Sequence, residues 1–101
     1  MSNHVYKVLI SAEASDLLGQ HIAFLAKVSI GTAKVLRNDL LARIKNLGKG
    51  PHLYPVFYSS SLGTEYRKLV YKRYLILYSI DEYEKIVRIK YIWDSRKNNK
   101  I

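Results

Sequence analysis

The spacing of apolar positions along the chain changes at Ser11 and again at Gly48, and these two changes divide it into three kinds of segment. Val5 to Ser11 (VYKVLIS) is a short run of β-branched and aromatic residues, too brief for a typical helix, and predicts a strand. Ser11 then offers an N-cap oxygen, with Glu13 and Asp16 in the first turns where the helix dipole favours negative charge. Ala14, Leu17, Leu18, Ile22, Leu25 and Val28 follow at helical spacing and predict an amphipathic helix. Ser29 caps a second helix whose stripe is Ala33, Leu36, Leu40, Ile44 and Leu47. Gly48, Gly50 and Pro51 end it, glycine by accepting a left-handed cap and proline by refusing helix extension.

Beyond Gly50 the helical period disappears. Residues 51 to 64 hold two prolines, a serine run and Gly63, which predicts a turn-rich connection with a short edge strand near Val56 to Tyr58. Three β-rich runs follow, Glu65 to Tyr71, Arg73 to Ile80 and Ile86 to Trp93, joined by short links as in a meander. The middle run is apolar on both alternating sets, as in a central strand covered by helices. In the last run Val87, Ile89, Tyr91 and Trp93 alternate with Arg88 and Lys90, predicting a core face and a basic face. The order predicts an α+β fold: an N-terminal strand, a two-helix hairpin on one face, then a three- to four-stranded, mainly antiparallel sheet. All 101 residues form one domain in this reading, with 95–101 a mobile basic tail.

Charge adds the first functional hint. Lys and Arg number 17 against 8 Asp and Glu, a formal net charge of +9 that favours polyanionic or acidic partners. Half the residues are apolar, so the chain folds rather than forming a disordered basic tail. With no cysteine, disulfide frameworks, thiol nucleophiles and thiolate zinc sites are excluded together. No apolar run is long enough to span a bilayer and no basic-then-apolar leader opens the chain, so a cytoplasmic protein without a membrane partner is expected.

Between Tyr66 and Ile80 stand four bases, Arg67, Lys68, Lys72 and Arg73, and no carboxylate. Tyr66, Tyr71, Tyr74 and Tyr78 interleave with them. Rings beside cations suit a single-stranded nucleic-acid surface, since rings stack bases and cations meet phosphates; tyrosine is equally a good strand former and lysine a good solvated edge. His4, His21 and His52 have no metal-ligand spacing, so neither metal nor cofactor is expected, and His21 reads as a packing residue. Phosphate-binding loops, nucleophile elbows and close carboxylate pairs are missing too. What is left is a metal-free site of the kind that cleaves RNA through its own 2′-hydroxyl, with Asp94, Arg96 and Arg73 meeting at one sheet end. The competing role of Asp94 is a strand-end acid paired with a neighbouring arginine.

The order of elements, VYKVLISAEASDLL at the start, Gly63-x-x-Tyr66-Arg67-Lys68-Leu69 leading into Tyr74 to Ile80, and Val87-x-Ile89-x-x-Ile92-Trp93-Asp94-Ser95-Arg96 resemble the RelE/ParE superfamily of bacterial type II toxins, over nearly the whole chain. The resemblance implies a growth-inhibiting toxin neutralised by a cognate antitoxin, whose acidic segment folds on the +9 surface. It also implies one of two targets. RelE-like members cut mRNA on the ribosome, which would give Lys68, Arg73, Asp94 and Arg96 catalytic roles; yet Leu75 stands where that pattern has an arginine, and no tyrosine follows the basic C-terminal cluster. ParE-like members inhibit DNA gyrase by binding, and Tyr66-Arg67 and Trp93-Asp94-Ser95-Arg96 fit that pattern more naturally. Under this favoured reading Arg67, Lys72, Tyr74, Arg88, Lys90, Trp93 and Lys97 contact the target. A harmless basic RNA-binding domain is the third possibility.

Overall fold

The computed structural model describes residues 5–96. His4, Lys97 and most of the 95–101 tail lie outside the described residues. Five strands and two helices run in the order β1 (Lys7–Ile10), α1 (Ala12–Ala26), α2 (Ile30–Asn46), β2 (Val56–Ser59), β3 (Glu65–Tyr71), β4 (Tyr74–Asp81) and β5 (Ile86–Asp94), with a 3₁₀ turn at Pro51–Leu53. One sheet contains all five strands in the order β1-β5-β4-β3-β2. The last four strands form the expected antiparallel meander, and β1 adds to it by pairing parallel with β5, Val8 opposite Val87 and Ile10 opposite Ile89.

Both helix caps sit where the sequence places them. The Ser11 hydroxyl accepts from the Ala14 amide at 2.9 Å and the Ser29 hydroxyl from the Thr32 amide at 3.1 Å, each satisfying an amide that the helix leaves unpaired. All five stripe residues of α2, from Ala33 to Leu47, are buried. Val28 departs from expectation: α1 stops at Ala26 and Val28 stands exposed in the connection between the helices. The helical hairpin covers one face of the sheet, and the core is Leu36, Leu40, Ile44 and Leu47 against Leu69, Ile76, Tyr78, Val87, Ile89 and Ile92.

Two local features differ from the sequence reading. Gly48 is not a left-handed cap; the only glycine in that region of backbone space, among the described residues, is Gly63 at φ +89°. Gly48 is required by close approach instead. Its carbonyl accepts from the Tyr6 amide at 2.8 Å, and a Cβ there would stand 2.7 Å from the Tyr6 carbonyl oxygen. The second difference lies in β5. Leu77 pairs with Tyr91 but its neighbour Tyr78 pairs with Ile89, so Lys90 is an extra residue in the ladder. This bulge reverses the side-chain parity after Ile89. Ile92 and Asp94 turn into the core, while Tyr91 and Trp93, expected inside, join Arg88 on the other face.

Candidate functional site

With both helices on one side, no element among the described residues covers the opposite face of the sheet. Cross-strand register assembles it in rows. Tyr66, Ser79 and Arg88 follow one another from β3 to β5, and Val70, Leu75 and Trp93 form another row. Between them lies an apolar groove of about 330 Å³, floored by Leu75 and Leu77 of β4 and walled by Phe57 and Tyr58 on one side and Tyr91 and Trp93 on the other. Tyr58 stacks on Tyr66 with ring centroids 5.2 Å apart, and Tyr91 meets Trp93 edge to face at 6.3 Å. The cations of this face lie against its rings: Lys68 Nζ is 4.6 Å from the Phe57 centroid and Lys90 Nζ is 5.8 Å from that of Tyr66. Arg88 stands beyond the groove and pairs with Asp81 at 3.5 Å.

Lys68, Lys90, Arg88 and Trp93, chosen from sequence, therefore come together on one face, and Phe57, Tyr58 and Tyr91 complete it. Arg67 and Tyr74 do not join them. Arg67 points to the side of the sheet that the helices cover and donates from Nη1 to the Tyr54 carbonyl at 2.5 Å, fixing the chain that enters β2. Tyr74 is a core residue, its ring 5.4 Å from that of His21. His21 is itself buried, its Nε2 donating to the Ile92 carbonyl at 3.1 Å, and so ties α1 to β5 as a packing residue. Lys72 occupies the β3–β4 turn at φ +56°, close to the Tyr71 ring.

Asp94, Arg73 and Arg96 do meet at one sheet end, but as a structural knot. Asp94 is 2% exposed; its Oδ2 pairs with Arg73 Nη2 at 3.2 Å and its Oδ1 accepts the Arg96 amide at 3.0 Å. The Ser95 hydroxyl donates to the Arg73 carbonyl at 2.8 Å and closes the knot. Lys68 stands on the opposite face of the sheet. The four residues of the ribonuclease reading are thus split between two surfaces.

A second polar cluster joins elements far apart in sequence. Tyr6 donates its hydroxyl to Glu82 at 2.7 Å, His52 contacts the same carboxylate at 2.5 Å, and Lys85 Nζ lies 3.6 Å away. The hydrogen bonds from Tyr6 and His52 hold the Glu82 carboxyl below the ordinary carboxylate range, and the same bond to Glu82 raises the Tyr6 phenol. His52, which has no metal-ligand spacing in the sequence, finds its carboxylate thirty residues downstream, in the β4–β5 turn. Among the described residues no group of three or more potential ligands could hold a metal ion, and no helix is long and apolar enough to cross a membrane.

Comparison with protein families matches residues 8–99 to the family described as the ParE toxin of the type II toxin-antitoxin system, parDE. No curated protein matches the chain.

Proposed function

Because the chain belongs to the ParE toxin family of type II toxin-antitoxin systems, we propose that it stops growth by binding DNA gyrase in the cytoplasm and that a cognate antitoxin neutralises it. One observation carries the choice of binding over cleavage. Asp94, the acid that would accept the proton of an attacking 2′-hydroxyl, is buried on Arg73, with Lys68 on the other side of the sheet. General acid-base cleavage needs these groups within hydrogen-bond reach of one phosphodiester. Inhibition by binding needs only a complementary surface, and the uncovered face with Lys68, Lys90, Arg88 and Trp93 supplies one. The net charge of +9 favours an antitoxin whose covering segment is acidic.

The test is induced expression with parallel readout of DNA supercoiling and of transcript 5′ ends on ribosomes, followed by purified gyrase with and without the toxin. Loss of supercoiling with intact transcripts is the expected result, relieved by adding the antitoxin and abolished by Arg96→Glu. Cuts at defined positions in ribosome-bound mRNA, with gyrase unaffected, would overturn the proposal.

A further inference from the structure

We propose that the uncovered face of the sheet binds single-stranded nucleic acid directly, with Phe57, Tyr58, Tyr91 and Trp93 stacking unpaired bases and Lys68 and Lys90 meeting the phosphates between them. This activity goes beyond gyrase inhibition and does not depend on it.

Three observations carry the inference. First, the groove has aromatic walls on both sides and an aliphatic floor, with no carboxylate lining it. Its walls are three inter-strand steps apart, about 14 Å at the usual strand spacing, which leaves room for bases to enter edge-on and lie against either wall. Second, two cations of this face lie close to its rings, both on the side of β2 and β3. Lys68 lies over Phe57 and Lys90 over Tyr66, so a base on the ring and a phosphate on the ammonium are served by adjacent groups. Third, rings of this face stay open to solvent. Phe57 and Tyr58 remain 46% and 44% exposed, although a β-strand edge left to itself is better protected by charge. The Lys90 bulge is what delivers Tyr91 and Trp93 to this face rather than to the core. A mainly antiparallel sheet backed by two helices, with aromatics and bases on its open side, has the physical design of sheet platforms that bind single strands by stacking. A duplex keeps its base faces stacked on one another and offers them to no ring, so it cannot use the groove.

Trp93 is the only tryptophan in the chain, which makes it a built-in reporter. Full-length protein is titrated with ten-nucleotide oligo-dT, oligo-U and a duplex of the same length. Trp93 emission is followed alongside the anisotropy of labelled oligonucleotide over a series of salt concentrations. The single strands should quench Trp93 and bind more tightly than the duplex. Equal affinity for dT and U identifies stacking and phosphate contact as the shared chemistry, and a preference for either adds a reading of the 2′-hydroxyl; both results support the proposal.

Phe57→Leu and Tyr91→Leu, which keep the groove apolar, should each weaken single-strand binding about tenfold, with unchanged melting temperature showing that the fold is kept. Lys68→Gln and Lys90→Gln should each lower the log-log salt slope by about 0.7, whereas Lys34→Gln, exposed on α2 behind the sheet, should leave it unchanged. Equal or tighter duplex binding, or leucine variants that bind like the parent, would reduce the interaction to general attraction to a basic protein and overturn the proposal. So would antitoxin binding that requires Phe57 and Tyr91 while oligonucleotide binding ignores both. The same variants are assayed against gyrase: a Tyr91→Leu protein that loses oligonucleotide binding yet still blocks supercoiling separates this site from the gyrase reading.

Discussion

Removing one hydroxyl, in Tyr78→Phe, should make the alkaline stability of the protein less sensitive to pH than that of the parent. Tyr78 is fully buried in β4, and its hydroxyl donates to the Pro51 carbonyl at 2.6 Å, pinning the 3₁₀ turn to the sheet. Burial pushes its phenol from 10.0 up to about 12; Arg67 opposes the shift and Tyr54 adds to it. A folded-state pKa above the unfolded one means that the native protein holds this proton more tightly. Its contribution is complete below pH 10 and is lost as pH rises toward 12. Two pKa units correspond to about 2.7 kcal/mol in total, and about 1.4 kcal/mol of that is gone by pH 11. At pH 8 the phenylalanine variant leaves the Pro51 carbonyl without its donor and should be less stable by about 1–2 kcal/mol.

Urea unfolding of both proteins at pH 8, 9, 10 and 11 isolates the effect, because every other tyrosine and lysine titrates in both and cancels in the difference. The deficit of the variant should shrink steadily above pH 9 and come close to zero at pH 11. A deficit that stays constant from pH 8 to pH 11 would refute the reasoning, since the Tyr78 hydroxyl would then titrate alike in the folded and unfolded chains.

Asp94→Ala should cost about 2–3 kcal/mol in the same urea assay, less than a fully buried pair because the Arg73 side chain keeps 30% exposure; a loss under 0.5 kcal/mol would mean that the knot at the sheet end does not hold in solution. Gly48→Ala should lower the melting temperature by several degrees, the effect of about 1–3 kcal/mol of overpacking in a domain of this size, because the new methyl meets the Tyr6 carbonyl at 2.7 Å. An unchanged melting temperature would show that the chain before β1 is free to move aside.

Local patterns made most of the fold legible. The hydroxyls of Ser11 and Ser29, the α2 stripe and the bounds of β3 depend on residues close in sequence and appear where their spacing places them, while β4 lies one residue further on than Arg73–Ile80 and β5 runs one residue past Trp93. What sequence did not reveal depends on long-range pairing. Nothing in Ile89-Lys90-Tyr91-Ile92 marks Lys90 as the bulge until Leu77 and Tyr78 fix the register from the neighbouring strand. The same applies to Gly48, whose constraint comes from Tyr6, and to His52, whose carboxylate arrives from the β4–β5 turn. The candidate site was half visible: Lys68, Arg88 and Lys90 follow from local charge and alternation, whereas alternation alone puts Trp93 in the core. Phe57, Tyr58 and Tyr91 required the topology that brings β2 and the second half of β5 to one face.

The parallel pairing of β1 with β5 also bears on how the molecule is made. The first strand waits for the last strand of the described chain, and β5 is an interior strand that brings Val87, Ile89 and Ile92 to the core. Bringing together segments nearly eighty positions apart closes a long loop, a slow step in folding. A chain still being synthesised has neither a closed sheet nor a bulge to aim Tyr91 and Trp93 outward. Assembly of the uncovered face is thereby tied to synthesis of β5, so chains that stop short of residue 94 lack the groove that Tyr91 and Trp93 wall.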